Sequence, residues 1–356
     1  VSSRAVVQGG IAGGIVGMIE SGTSVAFDSC YSGGSVTAFT NMEIVGRSAG
    51  GIIGHIRKST VTVKNCYHDG TVVSESGTSR SDWEGVFSGG VIGCVGTEMR
   101  VNVSIVNCTN AGTVDSVVDI GANFQHHFAS ASGIATFFNI SQDYSLSIEN
   151  CHNKGPISVK SFRDDFTVVS SGIASAVNSS KEGGDHPLDL KECSNTGTVN
   201  GSGNVDITYA SGITSSDGSS SDVYVNISVI SCFNKGNIVS SGNASGVAMS
   251  AKEISNSANV GNLTGDSAFG IAFRAYNSSW SVNIGGITSP KRSIATFRNV
   301  VHAEGIYFST NMGQTSPVGI SIFLNEATKR WEHAPQDRRL DTAEFLNKKV
   351  IEYNYT

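Results

Sequence analysis

One seven-residue pattern limits what this chain can become: a cysteine, an asparagine two residues on, a glycine four on and a branched aliphatic six on. It recurs at Cys30 (CYSGGSV), Cys66 (CYHDGTV), Cys108 (CTNAGTV), Cys151 (CHNKGPI), Cys193 (CSNTGTV) and Cys232 (CFNKGNI), and in weaker form at Ser257 (SANVGNL) and Val301 (VHAEGIY). A second block separates successive copies: SAGGIIGH, FSGGVIGC, ASGIATFF, SSGIASAV, ASGITSSD, ASGVAMSA and AFGIAFRA. A third segment, such as TVTVKN or LSIEN, leads into the next cysteine. Repetition of this kind marks a solenoid, in which each unit buries its apolar face only against its neighbours.

The shortest copy sets the unit. From Cys232 to Ser257 there are 25 residues, holding NIVSS, GVAMS and EISN. Three short β-prone segments in that length make one coil of a triangular solenoid and cannot make two. The longer repeats are then the same coil with loops added at its corners. Stacked parallel strands lie about 4.8 Å apart, so eight coils make a rod of roughly 40 Å. The expected fold is all-β: one right-handed parallel β-helix over residues 1–331, with residues 332–356 as a charged cap. In that cap Asp341 is placed to start a short helix through Ala343, Phe345 and Leu346. The motif glycine is expected at positive φ, where a Cβ is costly. Asn110, Asn153, Asn195, Asn234 and Asn259 are expected to stack as hydrogen-bonded amides, with the following Val or Ile pointing inward.

The pattern GGIIG…VKNCYHDGTV resembles the GLUG repeat of bacterial surface proteins and of non-catalytic regions of IgA-cleaving metallopeptidases. The closing ISIFLNEATKRW is similar to the segment that ends such arrays, so the resemblance covers roughly residues 9–331. It implies a parallel β-helix and a cell-surface setting. It carries no catalytic residue across, because the His-Glu-x-x-His motif is absent from the sequence.

Composition narrows the function. Charged residues are 15% of the chain, and 42 glycines stand against 5 prolines, a mixture suited to many short strands with tight polar turns. A net charge of −6 argues against a nucleic-acid partner. No apolar run is long enough to span a bilayer, so membrane attachment would need a segment outside this sequence. Zinc-type Cys-x-x-Cys spacing is missing, and neither metal nor cofactor is implied. Equivalent cysteines on adjacent coils would lie within disulfide range, giving the pairs Cys30–Cys66, Cys108–Cys151 and Cys193–Cys232. The alternative is a buried ladder of thiols, and Cys94 reads as a buried thiol in either case.

Asn-x-Ser/Thr sequons occur at Asn102, Asn107, Asn139, Asn178, Asn200, Asn226, Asn243, Asn262, Asn277 and Asn354. Five of them (Asn102, Asn139, Asn178, Asn226 and Asn277) fall between the Gly-Ile block and the next lead-in strand, which is one edge of a stacked rod. That placement favours an extracellular glycoprotein of a eukaryotic cell surface, such as a protozoan flagellar antigen of trypanosome type.

Function is expected in the loops after the second to fourth motifs, within residues 71–90, 113–132 and 157–171. They hold Trp83, Phe87, Phe124, His126, His127, Phe128, Phe162, Arg163, Asp164, Asp165 and Phe166 and contain no sequon. Aromatics with a few charged neighbours suit a recognition face for a protein or glycan receptor. Two alternatives stand beside this adhesin reading. One is a polysaccharide-cleaving β-helix using Asp164 and Asp165 with Arg163 and His126 or His127. The other is a structural or antigenic rod that associates with itself as a dimer or trimer.

Overall fold

In a computed structural model the described residues are 1–4, 6–20, 22–40, 47–76, 80–81, 85–96, 101–119, 123–124, 128–138, 145–177, 188–204, 206–216, 226–294, 297–304, 307–308, 322–325 and 330–333. The repeat from Cys66 to Cys108 shows how the chain is used. Its wall strands are Tyr67–His68, Thr71–Ser76, Val86–Gly89, Ile92–Gly96 and Asn102–Val106. Each pairs in parallel with its counterparts in the repeats before and after. The result is a parallel β-solenoid, with no helix among the described residues.

Four sheets make its wall. The two-residue strands after each cysteine form a corner ladder of ten strands, and the strands after the motif glycine form a nine-stranded valine sheet. The first half of each Gly-Ile block forms a nine-stranded glycine sheet. Its second half and the lead-in strand form two wings of a fifteen-stranded sheet. Three segments per coil were expected. The motif adds a corner strand of its own, and the Gly-Ile block divides into two strands at its glycines.

The interior follows the period-two alternation of the strands. Val36, Val72, Val114, Ile157, Val199, Ile238, Leu263 and Ile287, two residues after each motif glycine, are all buried. Val61 and Val63, Val103 and Ile105, Leu146 and Ile148, and Leu188 and Leu190 face inward from the lead-in strands. The glycine sheet and its continuation differ: Val86–Gly89 and Ile92–Gly96 are buried along their whole length, so this wall is covered on its outer side as well.

The motif glycine is needed for a reason other than the expected one. The left-handed residue is the one before each cysteine position: Ser29, Asn65, Asn107, Asn150, Glu192, Ser231, Asn256 and Trp280, with φ of 48–55°. The motif glycines Gly70, Gly112, Gly155, Gly197, Gly236, Gly261 and Gly285 have no positive φ. A Cβ on Gly112 would fall on the Gly70 carbonyl oxygen, one on Gly155 on that of Gly112, and so on along the ladder. Tight stacking of backbone on backbone excludes the side chain.

The expected amide stack is present and runs one way. Nδ2 of Asn110 donates to Oδ1 of Asn153 at 2.8 Å, Asn153 to Asn195 at 2.7 Å, and Asn195 to Asn234 at 2.8 Å. Asn234 donates to Asn259 and Asn259 to Asn283, both at 2.7 Å. Each amide also donates to the carbonyl of the motif glycine two residues on, at 2.9–3.3 Å. A second glycine row, Gly90, Gly133, Gly172, Gly212 and Gly246, packs on these side chains, and a Cβ there would strike the Asn. The two halves of the repeat are thereby tied together: the buried amide needs its facing glycine.

Two register details correct the sequence reading. The corner strand after Ala258–Asn259 is Val282–Asn283, followed by Tyr307–Phe308. A motif copy therefore begins at Ser281 (SVNIGGI), whereas Val301 lies inside the strand Phe297–Glu304, paired with residues 272–279. The fifteen-stranded sheet also changes character along the chain. Up to residue 230 its two wings are separate strands, but Ala248–Ser255, Ala272–Ser279 and Phe297–Glu304 each run through both. Near the end, Ile322–Asn325 and Arg330–His333 pair antiparallel. The expected helix after Asp341 lies outside the described residues.

Candidate functional site: the insert face and the sequon edge

The loops after the second and third motifs do come side by side. Arg80–Ser81 pairs in parallel with Asn123–Phe124, Arg80 opposite Asn123 and Ser81 opposite Phe124. The stacking of the wall thus extends outward into the inserts. Trp83, His126 and His127 lie outside the described residues, and for Phe124 only the backbone is described.

The remaining insert aromatics divide between core and surface. Phe87 and Phe166 are buried. Phe87 forms a satellite cluster outside the main core with Cys94, Phe138 and Val169, and half-buried Phe128 and Tyr209 pack against it. Phe87 and Phe128 lie 5.2 and 6.1 Å from the Phe138 ring. Phe166 belongs to the core itself. These side chains cover or fill the wall and are not available to a partner. The sequence carried one signal of this: Phe87 immediately precedes the Ser-Gly-Gly block, where both strand faces are covered.

Phe162 is different. It is 52% exposed, and the Lys160 ammonium lies over its ring at 4.3 Å. Beside it Arg163 makes a two-pronged pair with Asp165, Nε to Oδ1 at 2.8 Å and Nη2 to Oδ2 at 2.7 Å, which pushes the guanidinium pKa up. The turn is pinned to the next repeat by Asn204, whose amide donates to the Asp164 carbonyl at 3.0 Å. Asp164 is exposed while Asp165 is committed to Arg163, so the two carboxylates stand in different environments. Among the described residues no group of three or more His, Cys, Asp or Glu side chains converges on one point.

All seven cysteines are buried reduced thiols. Cys66, Cys108, Cys151, Cys193 and Cys232 each donate to the carbonyl two residues before, at 3.1–3.4 Å. Ser257 and Ser281 make the same bond from the same position. A hydrogen bond with the Cys151 thiol raises the Cys108 pKa to about 12, and burial raises that of Cys232. Burial shields the cysteines, and the raised pKa of Cys108 and Cys232 is the opposite of a reactive thiol.

On the sequon edge, Asn102 opens its lead-in strand and is exposed, Asn226 stands just before the strand Ile227–Ile230, and Asn277 is exposed within Ala272–Ser279. Asn102 and Asn277 lie on the fifteen-stranded sheet and Asn226 at its edge; Asn139 and Asn178 are outside the described residues. Asn200, Asn243 and Asn262 sit on or beside the valine and glycine sheets. Asn107 belongs to an outer row at the left-handed corner. There Asn65 donates to Asp28 at 2.9 Å, Asn107 to Asn65 at 3.3 Å and Asn150 to Asn107 at 2.9 Å. The Asn65 bond holds the Asp28 carboxyl below its ordinary range. Asn354 is outside the described residues.

No protein-family model matches the chain, and neither a curated protein nor a solved structure matches it. The class is fixed by the strands alone: a parallel β-solenoid.

Proposed function

We propose that this chain is a non-enzymatic cell-surface or secreted glycoprotein, a right-handed solenoid of GLUG-like repeats wound once per motif, whose inserts form a recognition face for a protein or glycan receptor. The observation that carries this reading is the in-register pairing of Arg80–Ser81 with Asn123–Phe124. It continues the wall into a stacked outer surface instead of leaving independent loops. Phe162 with Lys160, exposed on the following repeat, supplies an aromatic and cationic anchor of the kind that dominates binding energy. The exposed sequons Asn102 and Asn277 lie on a different sheet, so glycans there would leave this face open.

The test has two arms. Protein secreted from a eukaryotic host is mapped for glycan occupancy, and the same labelled protein is applied to a panel of cells and immobilised glycans. Binding that survives at Asn102→Gln but drops at least tenfold in Phe162→Asp supports the reading. Empty sequons, or binding indifferent to Phe162→Asp and Lys160→Glu, would overturn it.

A further inference from the structure

One rung of the wall buries hydroxyls that nothing satisfies. Ser211, Thr214, Ser215 and Ser216 are fully buried, and none of the four hydroxyls has a hydrogen-bond partner. Ser250, buried two residues after the Ala248 that pairs with Thr214, is in the same condition. Elsewhere among the described residues unpartnered buried hydroxyls stand singly, at Ser32, Ser74, Ser130 and Ser278. A buried hydroxyl without a partner has lost its water with no replacement, so its burial opposes folding.

The neighbouring coils show that these positions can be satisfied. Ser132, Ser171, Ser211 and Ser245 share one register position, and Thr136, Ser175 and Ser215 another. Two coils below, Ser132 bonds Thr136 at 3.0 Å and Thr136 donates to the Ser88 carbonyl. One coil below, Ser171 bonds Ser175 at 2.9 Å and Ser175 donates to the Ala131 carbonyl. One coil above, Ser245 donates to the carbonyls of Ala248 and Ile271. On the inner side, Thr214 continues the column of Ile53, Ile92, Ala135 and Ala174, and Ser216 that of Ile56, Val95, Phe137 and Ala176. All eight are core residues, so this rung puts hydroxyls into columns that are apolar below it.

The coil also changes construction here. Thr214–Ser216 and Ile227–Ile230 are the last separate wing strands, and both pair onto Ala248–Ser255, which runs through both wings. Thr214–Ser216 shares three register pairs with the strand below it but one, Thr214 with Ala248, with the strand above. Each coil of a solenoid is held by its neighbours alone, so one weak contact lets the blocks on either side open separately.

We propose that the Ser211–Ser216 rung is a built-in opening point of the solenoid, where the wall parts first. The coils below it, which carry the inserts after the second to fourth motifs, form one cooperative block. The coils from Ala248–Ser255 onward form the other. The inference uses wall residues alone and stands or falls independently of the glycoprotein reading.

The experiment is hydrogen exchange of the full chain by mass spectrometry, with urea unfolding beside it. The Ile213 and Thr214 amides donate to the Val247 carbonyl, and one coil below the Ile173 and Ala174 amides donate to that of Ile213. Exchange at the first pair is expected to be about tenfold or more faster than at the second, and urea unfolding is expected to show two transitions. Two substitutions in one column then carry opposite signs. Ser215→Ala removes an unpartnered hydroxyl and should slow exchange at its rung. Ser175→Ala removes a bonded one, takes the partner from Ser171 and should quicken exchange in its own strand. Thr214→Val, which keeps the side-chain shape, should act as Ser215→Ala does and draw the two transitions together. Faster exchange in Ser215→Ala and Thr214→Val would show that these hydroxyls are bonded after all. A single urea transition with even protection at both amide pairs would show that the wall has no opening point here. Either result overturns the proposal.

Discussion

The same inner corner position is filled in two ways along the molecule. From Asn110 to Asn283 it is an unbroken line of amides, each donating to the next and to its own glycine carbonyl. Below that line stand Ser32 and His68, both buried. Ser32 Oγ and both ring nitrogens of His68 lack a hydrogen bond of normal geometry, although the Ser32 and Gly70 carbonyls lie near the ring. The fold is continuous across both stretches, so the amide ladder is not what forms the solenoid. It is what satisfies the polar groups at a site the coil geometry buries regardless. A buried polar group left unpaired costs about 1–3 kcal/mol, and at this corner position that cost falls on Ser32 and His68.

Four experiments break or sharpen this contrast, in order of expected effect. Gly155→Ala, within the laddered stretch, should destabilise by more than ~3 kcal/mol in urea unfolding, because its Cβ meets the Gly112 backbone and backbone cannot yield as a side chain does. Gly155→Asn should be no milder, whereas a glycine kept for positive φ would accept Asn well. Asn153→Leu comes next, at about 3 kcal/mol. It strips the acceptor from Asn110 and the donor from Asn195 and Gly155, leaving buried groups unpaired.

The third acts on the unladdered stretch. Burial holds the His68 pKa down, from 6.5 to about 4, so the folded state keeps the ring neutral where the unfolded chain protonates it. The associated stability is complete above about pH 6.5 and is lost as pH falls toward 4, up to about 3 kcal/mol in all. The Asp69 carboxylate opposes that shift. His68→Asn should extend the amide line and flatten this acid dependence, read by hydrogen exchange of residues 60–76 at pH 7 and pH 4.5. An unchanged pH profile would show that His68 is not its source. The smallest effect is expected for Cys151→Ser, about 1 kcal/mol or less, since Ser257 and Ser281 already make the same bond. A loss of 2–5 kcal/mol would instead be the mark of a disulfide.

Much of the architecture is legible in the sequence, because a periodic fold writes each requirement many times. The inward Val and Ile, the stacked asparagines and the parallel stacking of successive repeats all follow from spacing. Where the reading failed, two physical causes share one residue type. A motif glycine serves equally for positive φ or for close approach, and only the neighbouring coil, invisible in one repeat, decides. The copy at Ser281 was hidden because its cysteine is replaced by serine. Its Asn283 and Gly285, 24 residues after Asn259 and Gly261, were the surviving signal. The pairing of the second insert with the third was legible from the repeat, but which of the insert aromatics are exposed was not. Phe87 and Phe166 look like Phe162 in a loop, and burial depends on whether the wall beneath is already covered.

The one-way run of amides gives the rod a polarity of its own, independent of the direction of the chain. Side-chain dipoles add along the axis from Asn110 toward Asn283, while the outer row on Asp28, Asn65, Asn107 and Asn150 points the other way. The inner column therefore has unlike ends. A coil grafted beyond Asn283 must present an acceptor, and one grafted below Asn110 a donor. Coils cut from this protein can be recombined head to tail but not inverted, a grammar written in side chains that a designer of longer rods would have to obey.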